Sequence, residues 1–230
     1  MLLHQSEFDE AIRRCVADWR IELTARHSEL MFRHFSEMTQ WNKVMNLTRI
    51  IDPVDAAVKH YADSLSLSAL AFEQNWPPAS LLDIGTGAGF PALPIAVIQP
   101  AWEITAIDGT GKKIDFLRST VTQLGLKNLT ALHAHSNHWK TSEQFDIITG
   151  RAVANSKGLY RDGARFLTRS GRIVVFATQG YAAAEDSTLE PPQNPSLRHE
   201  LDWPYTLQFR GETLARVLQV FRSTSALDPQ

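Results

Sequence analysis

Leu81-Leu82-Asp83-Ile84-Gly85-Thr86-Gly87-Ala88-Gly89-Phe90-Pro91 is the stretch that decides the fold of this chain. Leu81 to Ile84 is a short apolar run that reads as a strand. The three glycines after it make a turn, and Pro91 stands near the start of a helix that runs to Ile98. A strand that ends in a glycine-rich turn and opens a helix is a place for a ligand. The first amides of such a helix lack intrahelical partners, the dipole end is positive, and glycine keeps a Cβ out of the ligand's path. In an open α/β sheet the crevice lies at the carboxyl ends of the strands.

The same texture continues toward the C-terminus. Glu103 to Ile107 is a second strand ending at Asp108, and Ile114, Leu117, Val121 and Leu124 mark a helix with Gly125 at C′. Leu129 to His133, Phe145 to Thr149 and Ile173 to Ala177 are further strands, with a helix over Lys157 to Leu167 and a turn at Ser170-Gly171. Tyr205 to Phe209 and Arg216 to Phe221 then form an antiparallel hairpin around Gly211. This alternation predicts an α/β fold, Rossmann-like, with a mainly parallel seven-stranded sheet and helices on both faces.

The other direction is helical. Ile12, Val16, Trp19 and Leu23 recur at helical spacing, as do Met31, Phe35 and Met38. Asp52-Pro53 starts another helix that runs through Val58 and His60, and Ser64 to Phe72 continues it. Gln74 to Pro78 reads as a connector. The division is a helical extension over residues 1–78 packed on a core domain over 79–230.

A dinucleotide site wants G-x-G-x-x-G, and Phe90 takes the last position here. The spacing G-x-G-x-G suits a cofactor without a pyrophosphate. S-adenosylmethionine qualifies: its carboxylate can meet the helix N-terminus, Asp83 can receive its ammonium, and Asp108 can accept from both ribose hydroxyls. The plainer alternative is a tight turn with solvent-facing acids. Net charge is −2, so no overall basic character advertises a nucleic-acid partner, and any RNA contact must be local. The single cysteine, Cys15, allows neither an internal disulfide nor a thiolate cluster and reads as a core residue. No metal is expected, His133, His135 and His138 reading as polar surface. No signal peptide or membrane span is apparent, which points to the cytoplasm.

The sequence resembles the RsmG (GidB) family, bacterial methyltransferases of small-subunit ribosomal RNA. The resemblance rests on Trp41-Asn42-Lys43-Val44-Met45-Asn46-Leu47-Thr48, on His60 with Asp63-Ser64-Leu65, and on the stretch from Leu82 to Pro91. It continues through Pro94, Gly111-Lys112-Lys113 with Phe116-Leu117, and Arg151-Ala152-Val153-Ala154. It implies a class I methyltransferase that uses S-adenosylmethionine to methylate N7 of one guanine in 16S rRNA, as naked RNA or in the 30S subunit. It further implies that Gly85, Phe90 and Arg151 border the cofactor, and that Ser136 and Asn137 lie against its adenine. Gly109-Thr110 and Gln179 depart from the family pattern, the latter replacing a lysine. The alternatives are methylation of another RNA or a small molecule, and a noncatalytic cofactor-binding assembly protein.

The candidate cofactor residues are therefore Asp83, Gly85, Thr86, Gly87, Phe90, Asp108, Ser136, Asn137 and Arg151. Arg151 is also the catalytic candidate, since it follows the fourth strand, where the substrate base should lie. An ion pair with an acid such as Asp162 is its bland alternative. His60 and Asp63 are three apart on a helix and share a face. With Asn46 and Lys112 they are the candidates for substrate contact. A monomer is expected.

Overall fold

The computed structural model describes residues 2–151, 156–178 and 197–224. Strands β1 (Ser80–Ile84), β2 (Glu103–Asp108), β3 (Leu129–His133), β4 (Phe145–Gly150) and β5 (Leu167–Thr178) pair in parallel. Strands β6 (Leu197–Phe209) and β7 (Glu212–Ser223) form the expected hairpin, and β7 also runs antiparallel to β5. The seven strands lie in the order β3-β2-β1-β4-β5-β7-β6. The chain builds outward from β1 in one direction and then restarts at β4, so the crevice between the ends of β1 and β4 is the switch point where such sheets bind ligands.

Several elements differ from the sequence reading. The first helix, α1 (Leu2–Val16), stops short of Trp19 and Leu23, which lie in the connection to the next helix, and the hairpin strands are longer than expected, β6 beginning at Leu197 rather than Tyr205 and β7 at Glu212 rather than Arg216. The helix expected to reach Leu167 is α7 (Ser156–Gly163) followed by a 3-10 turn, Ala164–Phe166. Strand β5 begins at Leu167, and the expected Ser170-Gly171 turn survives inside it as an irregularity. Phe145 pairs with Leu167 and Ile147 with Arg172, so β5 loops out between them.

Side chains alternate across the sheet. Leu81, Ile104, Ala106, Ile147, Val174 and Val220 face a core shared with α1 (Leu2–Val16), α2 (Ala25–Met45), α4 (Asp63–Glu73), α5 (Ala92–Ile98) and α6 (Gly111–Leu124). Leu82, Ile84, Ile107, Ile148, Ile173 and Val175 face the other way, onto Leu159, Tyr160 and Phe166. Both faces are covered, but unequally: the N-terminal helices all lie on the first. Phe8 and Tyr61, both fully buried, belong to the same core as Leu81 and Val220. Burying a side chain of that size contributes about 2–3 kcal/mol. The N-terminal helices and the sheet are thus held by one continuous core. Cys15 is buried in it.

The short helix α3 (Pro53–Ala56) starts as the sequence indicates, with Pro53 in its first turn and Asp52 accepting from Asp55 N at 2.9 Å. The chain then widens into a π-helical segment, Ala57–Ala62, before returning to α geometry in α4. Helical spacing does not distinguish the two, and the extra residue per turn becomes visible only in what it aims at the site. Among the described residues no helix is long and apolar enough to cross a membrane.

Candidate functional site

The glycine turn is fastened to its neighbours by backbone. Gly85 N and Thr86 N both donate to Ile107 O, at 2.8 and 3.0 Å, which binds the turn to β2. Gly89 N and Phe90 N both donate to Thr86 O at 2.9 Å. All three glycines have positive φ, +74° at Gly85, +60° at Gly87 and +101° at Gly89, a region that L side chains adopt at a cost. Their surroundings differ. A Cβ on Gly85 would meet nothing within 4 Å, and one on Gly87 only the Gly85 carbonyl at 4.0 Å. A Cβ on Gly89 would lie 2.8 Å from Leu117 Cδ1. The first two glycines keep a face of the turn open, and the third lets α6 close on it.

The two acids sit differently. Asp108 accepts from Gly87 N at 3.0 Å through one oxygen and from Thr110 N at 2.8 Å through the other. Lys113 Nζ lies 3.8 Å away. A carboxylate has about four acceptor sites, so each oxygen keeps one. Asp83 is fully buried at the base of the turn, and its Oδ2 accepts from Ala92 N at 3.3 Å. Among the described residues its Oδ1 and the Thr86 hydroxyl oxygen have no hydrogen-bond partner. Burial pushes the Asp83 carboxyl up to about 7, against the opposing pull of the Ala92 amide and the Arg151 charge. The amides that the sequence offered to a ligand carboxylate at the start of α5 are already engaged, Ala92 N by Asp83 and Leu93 N by Gly89 O.

Arg151, immediately after β4, forms the opposite wall. Its Nη1 donates to Asp63 Oδ2 at 2.8 Å and to His60 O at 3.0 Å, with Lys59 O and Ser64 Oγ at 3.3 Å. Its Nη2 meets His60 Nδ1 at 3.0 Å. Since a guanidinium only donates, Nδ1 accepts, and the imidazole carries its proton on Nε2. That proton points to Thr48 Oγ1 at 3.0 Å, which also accepts from Ile50 N. Burial and the Arg151 charge lower His60 to about 3, so it is neutral near pH 7. Its ring stacks on Phe90, centroids 4.7 Å apart, and Arg151 lies 5.5 Å from the same ring. Asp162, by contrast, pairs with Arg161.

Two contributors escape the sequence reading. His34 is fully buried, with Nε2 2.8 Å from Ala88 O and Nδ1 2.7 Å from Tyr61 OH. A carbonyl only accepts, so Nε2 donates and Tyr61 donates to Nδ1. Burial lowers His34 to about 4. Its signal was available: His34 falls on the apolar stripe of Met31, Phe35 and Met38, where a polar residue needs a buried partner. Tyr205 on β6 donates to Asp63 Oδ1 at 2.8 Å and had no such local signal.

The remaining candidates lie farther out. Ser136 donates to Asp162 at 3.1 Å, and its carbonyl accepts from Arg165. Asn137 is exposed. This segment borders the residues after Asp108, since His133 Nε2 lies 3.0 Å from Gly109 O and a side chain on Gly109 would run into the His135 ring. Asn46 is the left-handed C-cap of α2 (φ 49°) and exposed, while Lys112 is exposed on the first turn of α6. Ala152 to Ala154 and Gln179 lie outside the described residues.

The family profile described as GidB, rRNA small subunit methyltransferase G, matches residues 27–193, a span that contains the turn, His60, Asp63 and Arg151. The chain belongs to the GidB family. Ribosomal RNA small subunit methyltransferase G of Lactococcus lactis subsp. cremoris is 36% identical over 165 residues, 69% of this chain and 68% of that protein. The protein of that name from Streptococcus pyogenes is 35% identical over 176 residues, 75% of this chain and 72% of that protein. Among solved structures, the N-methyltransferase NodS of Bradyrhizobium japonicum is similar in fold, with TM-score 0.55 at 13% identity over 87% of this chain and all of that one. TrmN of Thermus thermophilus gives 0.53 at 18% identity over 73% of this chain and 53% of that one. The GidB chain thus has the class I methyltransferase fold that its sequence predicts.

Proposed function

We propose that this GidB-family chain methylates N7 of a specific guanine in the 16S rRNA of the small ribosomal subunit, with S-adenosylmethionine as donor. The observation that carries the reading is that the family match covers both walls of the site. The residues present fit the cofactor. Gly85 and Gly87 leave clear the space their side chains would fill, and Asp108 keeps acceptor capacity for two ribose hydroxyls. Ser136 and Asn137 are assigned to the adenine side, and Asp83 to the cofactor's amino group.

When bound, the cofactor supplies a methyl group already activated on a sulfonium sulfur. Guanine N7 has a lone pair and no proton, so the chain has to orient a base rather than deprotonate it. His60 suits that demand: it is neutral and both ring nitrogens are engaged, so it transfers no proton near pH 7. The Arg151 guanidinium, backed by the buried Phe90 ring and paired with Asp63, gives a flat donor edge beside the glycine turn, suited to a purine. A guanine in folded RNA must be displayed or swung out to reach it. His60 and Asp63 serve the substrate through Arg151, whereas Asn46 and Lys112 are exposed and available to RNA directly. The chain is proposed to act as a cytoplasmic monomer.

Mass spectrometry of 16S rRNA from a deletion strain, with and without the restored gene, tests this. One N7-methylguanosine should vanish and return. An unchanged methylation pattern rejects the reading. Incubating the pure protein with labelled donor and either naked rRNA or 30S subunits then identifies the form of the substrate.

A further inference from the structure

We infer that Tyr205, on a strand beyond the residues the family profile matches, is a positioning residue for methyl transfer that acts through Asp63 on Arg151. The inference rests on the proposed function. Asp63 has two carboxylate oxygens and each has one strong donor: Tyr205 OH on Oδ1 and Arg151 Nη1 on Oδ2, both at 2.8 Å. The acid and the arginine are largely enclosed, with side chains 14% and 13% exposed. In such surroundings a charge-assisted hydrogen bond is strong and directional. Tyr205 itself is buried beside the carboxylate, which pushes its hydroxyl well above the usual phenol range, so it remains a donor at any physiological pH.

The consequence is geometric. A carboxylate held at one oxygen can turn about its own axis. Held at both, it fixes where Nη1 sits. Nη2 is fixed separately by His60 Nδ1, and two anchored nitrogens define the plane of the guanidinium next to Phe90. Tyr205 thus sets the orientation of a group it does not touch. It comes from β6, the edge strand, and reaches the site because the N-terminal helices extend over that edge: Trp19, just after α1, packs edge-on against its ring at 5.9 Å. The contact crosses 142 residues of sequence.

Tyr205→Phe removes the hydroxyl and keeps the ring. With the full-length protein, rRNA or 30S substrate and S-adenosylmethionine, kcat should fall about tenfold, because small misplacements of reacting groups cost rate rather than binding. KM for RNA and the calorimetric Kd for the cofactor should stay within about twofold. In an Arg151→Ala background the same substitution should change kcat no further, since its route of action is gone. Asp63→Asn, which leaves Tyr205 an acceptor but removes the charge facing Arg151, should behave in the same way. Wild-type kcat in Tyr205→Phe, or the same loss in both backgrounds, overturns the inference while leaving the methyltransferase reading intact. A wild-type chain that methylates no RNA overturns that reading, and the role of Tyr205 with it.

Discussion

The glycine turn is held by the backbone of β2 and by its own residues, whereas Arg151 is held by side chains and carbonyls drawn from residues 59–64, with Asp63 fixed in turn by Tyr205. The first wall is a product of local sequence and the second of tertiary packing. A local wall tolerates change in distant elements and fails when one residue of the turn gains a side chain. A packed wall depends on the whole N-terminal extension staying in place, and single changes to it alter alignment before they alter affinity.

The sharpest way to separate the walls is to break one at a time. Gly87→Val should weaken cofactor affinity by about a hundredfold or more, because its side chain enters the open face of the turn. Calorimetry reads the loss directly, and normal binding would move the pocket elsewhere. Arg151→Ala should lower kcat by about a hundredfold, the range typical of a lost electrostatic contact, with cofactor binding still measurable. If cofactor binding vanishes instead, the two walls are not separable.

Gly89→Ala tests the closed side of the turn. Its Cβ would overlap Leu117, so denaturant unfolding should show a loss of about 2 kcal/mol in stability. Unchanged stability would mean that α6 yields there.

The smallest effect is a slope. His34 and His60 are depressed in the folded chain to about 4 and about 3. The unfolded chain therefore takes up protons first, and stability is lost as pH falls from about 6.5 toward those values. Asp83 works the other way. Its folded value of about 7 lies above that of the unfolded chain, so its contribution is full below about 4 and lost as pH rises to about 7. Asp83→Asn removes the compensation, and thermal midpoints between pH 7 and 4 should fall more steeply than in the parent. Parallel curves would mean that Asp83 titrates as an ordinary acid.

What the sequence disclosed follows the same division. The strand, the turn and Asp108 are legible because they lie within one stretch whose geometry is set by glycine and proline, and Asp52-Pro53 is legible for the same reason. His60 and Asp63 read correctly as sharing a face. That the face points at Arg151 could not be read, because the helix type changes to π between residues 57 and 62. His34 to Ala88 spans 54 residues and Asp63 to Tyr205 spans 142, and no periodicity encodes such pairs. The length of β5 was missed because Ser170-Gly171, a turn by composition, is absorbed as an irregularity once β4 and β7 flank it.

The wide π turn has an implication for how this gene can vary. Every rung of an ordinary helix advances its residues by about 100° around the axis. Losing a single codon between Ala57 and Ala62 would let the wide turn close to the ordinary α coil, because a π segment spends one residue more on its turn. The helix after it would keep its facing, so Asp63 would still reach the guanidinium, while the residues inside the segment, His60 among them, would be re-aimed. A deletion along this stretch is thus felt at the Phe90 ring before it is felt at the ion pair.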